Sequence, residues 1–250
     1  SVYWEIAGFL RARQRVLGAV PAETRSGKAV AAVLLDPEVV ETAPRFAGPC
    51  RGWAAKSAAV VPPDSDAMPT RPRVVDLFCG CGGMAEGFRQ AGFDVAAGLD
   101  NGHEALAAFR ANIRTPAGGP SGAPADLSDT VSAADLVRSH RPTVVTAGPP
   151  CQDFSSSGSR KEGERADLTV SCALILAEAL PEWAVIENVP GMERSVAYRT
   201  ARTILKNAGY GLTERVLDAD LYGVAQARRR FFCVARLGGP DGSMAADLER

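Results

Sequence analysis

With 250 residues, 46% of them hydrophobic and 23% charged, and no apolar run approaching the ~18 residues that cross a bilayer, the chain reads as a soluble globular protein without a membrane span. Its net charge of -1 gives no overall attraction to nucleic acid, so any such binding must rest on local clusters such as Arg228, Arg229 and Arg230. Six scattered cysteines, two histidines (His103 and His140) and no Cys-x-x-Cys pair argue against a disulfide framework or a zinc site and fit a reduced, intracellular protein; no metal is expected.

Residues 1–70 differ in character from the remainder of the chain. The stretch "WEIAGFLRARQRVLGAV" can place Ile6, Phe9, Leu10 and Val16 on one side of a helix, whereas "PRFAGPCRGWAAKSAAVVPPDSD" has little periodicity and ends like a linker. No chemistry is legible there. The chain begins with Ser rather than Met, as a fragment, processed product or trimmed record would; Met68 opens a basic lead-in to a strand, so a self-contained domain is expected over residues 71–250, with residues 1–70 a separate module or a non-native extension.

From residue 73 apolar runs alternate with amphipathic stretches. "RVVDLF", "DVAAGLD", "TVVTAG", "AVIENV" and "RRRFFCVARL" read as strands, and "MAEGFRQAG", "HEALAAFRANI", "AADLVRSH", "TVSCALILAEAL" and "YRTARTILKNAG" as the helices between them. Short strands separated by helices indicate repeated βαβ units, hence an α/β fold with a doubly wound, mostly parallel sheet covered on both faces. "TPAGGPSGAPAD", residues 115–126, reads as a Gly/Pro-rich surface loop. Only a short tail comes after the last strand.

Two stretches carry chemistry. In "VVDLFCGCGGMAEGF" a strand runs into a glycine-rich turn that opens a helix, and glycines at 80, 82 and 83 let a ligand approach the backbone. Asp100 closes the next strand, 24 residues after Asp76, where a doubly wound fold places the carboxylate that bonds ribose hydroxyls. The spacing is Phe-x-Gly-x-Gly rather than Gly-x-Gly-x-x-Gly, which favours S-adenosylmethionine over a dinucleotide. "TVVTAGPPC" ends another strand and delivers Cys151 to the same sheet edge, with Pro149 and Pro150 fixing the backbone before the thiol. A lone cysteine is more often a small buried hydrophobe, and a strand-end Glu a solvated surface group. Here the flanks of Cys151 are polar and "AVIENV" brings Glu187 to that edge, so a nucleophile paired with a proton donor is the sharper reading.

The blocks "DLFCGCGG", "GPPCQDFSSSG", "ERADL", "ENVPGM" and "GVAQARRRFF", in this order, resemble the cytosine carbon-5 DNA methyltransferases over about residues 71–236. The resemblance implies a Rossmann-like, S-adenosylmethionine-dependent methyltransferase fold. Phe78, Gly80 and Gly82 would line the methionine end of the cofactor, Asp100 would hold the ribose, and Asn101, Asp126 and Leu168 would lie by the adenine. Cys151 would attack carbon 6 of a flipped-out cytosine in double-stranded DNA, Glu187 would protonate ring nitrogen 3, Arg230 would contact the ring carbonyl, and Arg228 would support the site. Pro150, Gln152, Ser155, Asn188 and Gln226 would complete the substrate side, and the loop "SSSGSRKEGER" could close over the base. Alternation along the last strand turns Arg228 and Arg230 to one side and Arg229 to the other.

Complete members of that family continue into a target-recognition region, which this chain does not reach. It is therefore expected to be truncated or to need a second polypeptide that carries the region, and to work in the cytoplasm, on DNA, in a restriction-modification setting. An RNA-directed relative acting on tRNA, and a non-catalytic module that binds S-adenosylmethionine or DNA, are the alternatives.

Overall fold

The computed structural model describes residues 71–114, 122–150, 164–223 and 225–248. The helix expected within residues 4–20 lies outside the described residues, as do Cys151, Gln152, Ser155 and all of the "SSSGSRKEGER" loop but its last two residues, Glu164 and Arg165, which open a helix.

Seven strands form one sheet: β1 (Arg73–Leu77), β2 (Asp94–Asp100), β3 (Gly122–Pro124), β4 (Val144–Ala147), β5 (Trp183–Asn188), β6 (Tyr210–Asp218) and β7 (Arg229–Leu237), in the order β3-β2-β1-β4-β5-β7-β6. Only β7 runs against the others. The helices are α1 (Gly83–Gln90), α2 (His103–Asn112), α3 (Thr130–Ser139), α4 (Glu164–Ala179), α5 (Val196–Asn207) and α6 (Ala245–Leu248).

Both faces of the sheet are covered, and for that reason its strands read as nearly continuous apolar runs. Alternate residues Val74, Val95, Val144, Trp183, Val185, Phe232 and Val234 pack with Phe88 of α1, Phe109 of α2 and Met244. Their neighbours Val75, Leu77, Leu99, Val145, Ile186 and Cys233 pack with Val137 of α3, Ile175 and Leu176 of α4 and Ile204 of α5. Successive strand residues face opposite ways, so the parity of a strand-end residue fixes the layer it joins. Connections leave β1 towards β2 on one side and β4 lies on the other, which opens a crevice at the carboxyl ends of these strands where ligands of such sheets bind.

Two departures concern weakly apolar strands. Residues 122–124 of the expected surface loop form β3, held by the register Gly98↔Gly122, Leu99↔Ala123 and Asp100↔Pro124. Arg110 Nε donates to the Gly122 carbonyl at 3.0 Å. The segment after α5, not read as a strand, forms the long β6, in which Glu214 accepts from Tyr198 Oη at 2.6 Å and pairs with Arg202 at 3.2 Å. The tail after β7 folds back on β6: the Leu212 N–H donates to Asp241 Oδ1 and the Leu212 carbonyl accepts from Gly242 N, each at 2.8 Å. Met244 and Leu248 are buried there. Among the described residues no helix is long and apolar enough to cross a membrane.

Candidate active site

β1 leads directly into the glycine-rich turn. Phe78 adopts a left-handed backbone (φ 55), uncommon for a bulky residue and concentrated where surroundings over-determine the chain. The turn is then pinned group by group. Cys79 N donates to the Leu99 carbonyl at 3.2 Å, Gly80 N to Asp100 Oδ2 at 3.0 Å, and Gly82 N to the Cys79 carbonyl at 2.9 Å. Asp100 Oδ1 also accepts from Gly102 N at 2.8 Å, so this one carboxylate ties the turn after β1 to the turn after β2. Gly82, in the left-handed region at φ 94, is the N-cap of α1 and brings no capping side chain. Among the described residues the amides of Cys81 and Gly83 have no acceptor, and a Cβ at Gly80 or Gly83 would meet no atom within 4 Å. The turn thus has a braced side and a side offering free N–H donors at a helix N-terminus, an arrangement that suits a carboxylate.

Beneath it lies Asp76, 1% exposed, whose Oδ1 bonds Thr146 Oγ1 at 2.7 Å and whose Oδ2 has no aligned donor among the described residues, the Ala85 amide lying close to the carboxyl. Burial pushes its carboxyl from 3.8 up to about 7, against the lowering effect of Thr146.

The reacting end is assembled from β4, β5 and β7. Parity with Trp183 and Val185 turns Glu187 towards the α1–α2 layer, and parity with Phe232 turns Arg230 the same way; Arg228 stands just before β7, exposed, and acts on Glu187 through its charge. Arg230 Nε lies 2.9 Å from Glu187 Oε1. The contact is an ion pair without hydrogen-bond alignment, because Oε1 has no aligned donor among the described residues. Burial raises the Glu187 carboxyl above its usual range, and the charges of Arg230 and Arg228 oppose this without cancelling it. Arg229 points away and sits 3.9 Å from Asp218. Gly148, just past β4, joins the two ends: a Cβ there would lie 3.6 Å from Met84 Cε of α1 and 3.8 Å from Glu187 Oε2.

Asn188, expected on the substrate side, is 3% exposed and occupied at both ends of its amide. Nδ2 donates to the Pro149 carbonyl at 3.0 Å and Oδ1 accepts from Val189 N at 2.8 Å, so it anchors the two prolines that lead into Cys151. Pro150 is half-buried beside it, while Gln226 and Arg228 are exposed. On the adenine side Asn101 and Asp126 are exposed and Leu168 of α4 is half-buried. Asp126 Oδ1 accepts from both the amide and the hydroxyl of Ser128, which holds its carboxyl below the usual range. Of the described cysteines, Cys79, Cys172 and Cys233 are buried, their thiols pushed up by desolvation and so far from reactive; Cys81 is exposed. Reading by motif gave no role to Asp76, Thr146 or Asn112, whose Nδ2 donates to the Cys81 carbonyl at 2.9 Å. All three act through contacts with partners far away in sequence.

The family model for C-5 cytosine-specific DNA methylase matches residues 72–242, and a model described as a protein of unknown function (DUF1489) matches residues 1–73. The Type II methyltransferase M.HgiDI of Herpetosiphon aurantiacus is 39% identical over 179 residues, 71% of this chain and 56% of that protein. The tRNA (cytosine(38)-C(5))-methyltransferase of Schizosaccharomyces pombe is 31% identical over 173 residues, 67% of this chain and 50% of its own length. The crystal structure of S. pombe Dnmt2 methyltransferase superposes with a TM-score of 0.57 at 28% identity, covering 68% of this chain and 50% of that one. The chain spans about half the length of these relatives.

Proposed function

Since the chain belongs to the C-5 cytosine-specific DNA methylase family, we propose that residues 71–250 are the catalytic region of an S-adenosylmethionine-dependent DNA (cytosine-5-)-methyltransferase, with residues 1–70 a separate segment. The observation that carries this reading is Glu187: a half-buried carboxyl with a raised pKa, facing Arg230 at 2.9 Å, at the strand end beside the one that leads into Cys151. A carboxyl that burial makes more ready to take up a proton suits protonation of a pyrimidine ring nitrogen.

The donor set of the turn after β1 fits the cofactor. The free amides of Cys81 and Gly83 suit its methionine carboxylate, Phe78 its methionine chain and Asp100 its ribose; Asn101, Asp126 and Leu168 flank the adenine. When bound, S-adenosylmethionine supplies an electrophilic methyl group. The rest falls to the chain. The Cys151 thiolate adds to carbon 6 of a flipped-out cytosine, while Glu187 Oε2 gives its proton to ring nitrogen 3 and Oε1 stays against Arg230. The electron pair released to carbon 5 is what would attack a methyl donor; afterwards solvent base would take the carbon-5 proton as the thiolate is expelled, and ring nitrogen 3 would return its proton to Glu187, restoring the ring. Arg230 contacts the ring carbonyl, Arg228 adds positive charge, and Gln152, Ser155 and Gln226 complete the substrate side. Asn188 and Pro150 aim Cys151 rather than touch the base. The substrate is double-stranded DNA, met inside the cell in a restriction-modification setting. The region that reads its sequence comes from further chain or from a second polypeptide.

The test is trapping on DNA containing 5-fluorocytosine with labelled cofactor, with and without an added recognition polypeptide. A covalent adduct that disappears in Cys151→Ser supports the assignment. Folded protein that binds cofactor but forms no adduct under either condition leaves a non-catalytic module instead. The match to a tRNA methyltransferase favours one second reading, and label entering tRNA but not DNA would establish it.

A further inference from the structure

The glycine-rich turn has a back as well as a front. The last turn of α2 stands behind it and touches it through three residues. Asn112 Nδ2 donates to the Cys81 carbonyl at 2.9 Å. A Cβ on Gly82 would fall 2.9 Å from Ile113 Cγ1 and 3.1 Å from Phe109 Cδ2, and one on Gly98 would overlap the Phe109 ring. Phe109 and Ile113 are both fully buried, so this wall cannot retreat. The Cys81–Gly82 peptide is consequently fixed at both of its polar atoms, its carbonyl by Asn112 and its N–H by the Cys79 carbonyl at 2.9 Å. A peptide held at both atoms cannot rotate, and its orientation decides where the flanking amides of Cys81 and Gly83 point.

We propose that Asn112 is a positioning residue for the cofactor: by locking the Cys81–Gly82 peptide against α2, its side-chain amide keeps the amides of Cys81 and Gly83 aimed at the methionine carboxylate of S-adenosylmethionine. This role rests on the turn after β1 being the cofactor site. An amide donor is needed here because the partner is a carbonyl. Aspartate has the same shape but presents only acceptors when ionised, and so repels the oxygen that asparagine holds. The cost falls on cofactor binding rather than on the chemical step, since Asn112 is remote in function from the Glu187–Arg230 pair.

The experiment compares the full chain with Asn112→Asp and Asn112→Gln, reading cofactor dissociation by calorimetry and amide hydrogen exchange across residues 79–83. Asn112→Asp is expected to weaken S-adenosylmethionine binding by about 10-fold and to speed exchange at Gly82, with the melting temperature within about 3 °C of the parent. Asn112→Gln, which keeps a donor on a longer arm, recovers part of the affinity. Where turnover is measurable, KM for the cofactor rises and kcat at saturation holds. Unchanged binding in Asn112→Asp, or a loss of affinity matched by global destabilisation, overturns the positioning role while leaving the enzymatic assignment intact. No binding by the unsubstituted chain overturns the cofactor site itself, and the role of Asn112 with it.

Discussion

After β1 the chain turns on glycines, and what it offers the cofactor of the proposed function is its own backbone, held by Asp100 and Asn112 from neighbouring turns. Near the end of β5 stands Glu187, where the group the proposed reaction draws on is the side chain itself, set by burial and by Arg230. At the first end a residue matters for what it holds still; at the second, for what it carries. Substitutions at the two ends should therefore separate into effects on affinity and effects on rate.

The largest expected effect is at the reacting end. Glu187→Gln keeps the shape and removes the acid, and should lower methyl transfer by about 10²- to 10⁴-fold while cofactor affinity stays within about 2-fold. A comparable fall in affinity, seen in cofactor titrations of the same variant, would erase the division between the ends. A middle-sized effect concerns Asp76, which lies under the turn. Burial raises its carboxyl to about 7 from 3.8, so the folded chain keeps a proton that the unfolded chain releases. Its favourable contribution is complete below about pH 4 and is lost as pH climbs through about 7. Asp76→Asn cannot ionise, so its urea midpoint should gain on that of the parent across this window; two parallel profiles would show that the carboxyl is not buried as described. The smallest effect sharpens the comparison within one strand. Arg230→Ala removes the main charge that lowers the Glu187 carboxyl, so the alkaline limb of the rate profile should move to higher pH. Arg229→Ala, with its side chain 68% exposed and facing Asp218, should leave that limb in place and change stability by less than about 0.5 kcal/mol. Equal shifts in the two variants would mean that strand parity does not select the residue that meets Glu187.

Legibility in the sequence tracked burial. β1, β2, β4, β5 and β7 announced themselves as apolar runs because helices cover both of their faces. β3 did not, since Gly122, Ala123 and Pro124 have no strand preference and are extended by pairing with β2. β6 was hidden by Thr213, Glu214 and Arg215, polar residues that interrupt the run at the margin of the sheet. Within the candidate site, the placement of Glu187 and the glycines was readable because it is local: a strand end, a turn. The family model that matches residues 72–242 spans the same blocks. Asn112 was not readable. Its partner lies 31 residues away, and a polar residue closing a helix is by itself an ordinary surface position. Asn188 was readable as part of a block but not in its role, since only the fold shows its amide spent on Pro149 and Val189.

The two outer strands have a consequence for how the molecule behaves in company. An open sheet exposes rows of peptide groups on which another chain can grow, and crowded solutions select for such growth. On the β6 side the outward groups of Leu212 are answered by Asp241 and Gly242 from the same chain. On the β3 side the Gly122 carbonyl is taken by Arg110, and Pro124 has no N–H to offer. Each margin thus has some of its outward peptide groups taken by the chain itself, which leaves a stacking copy fewer partners there and asks nothing of the candidate site.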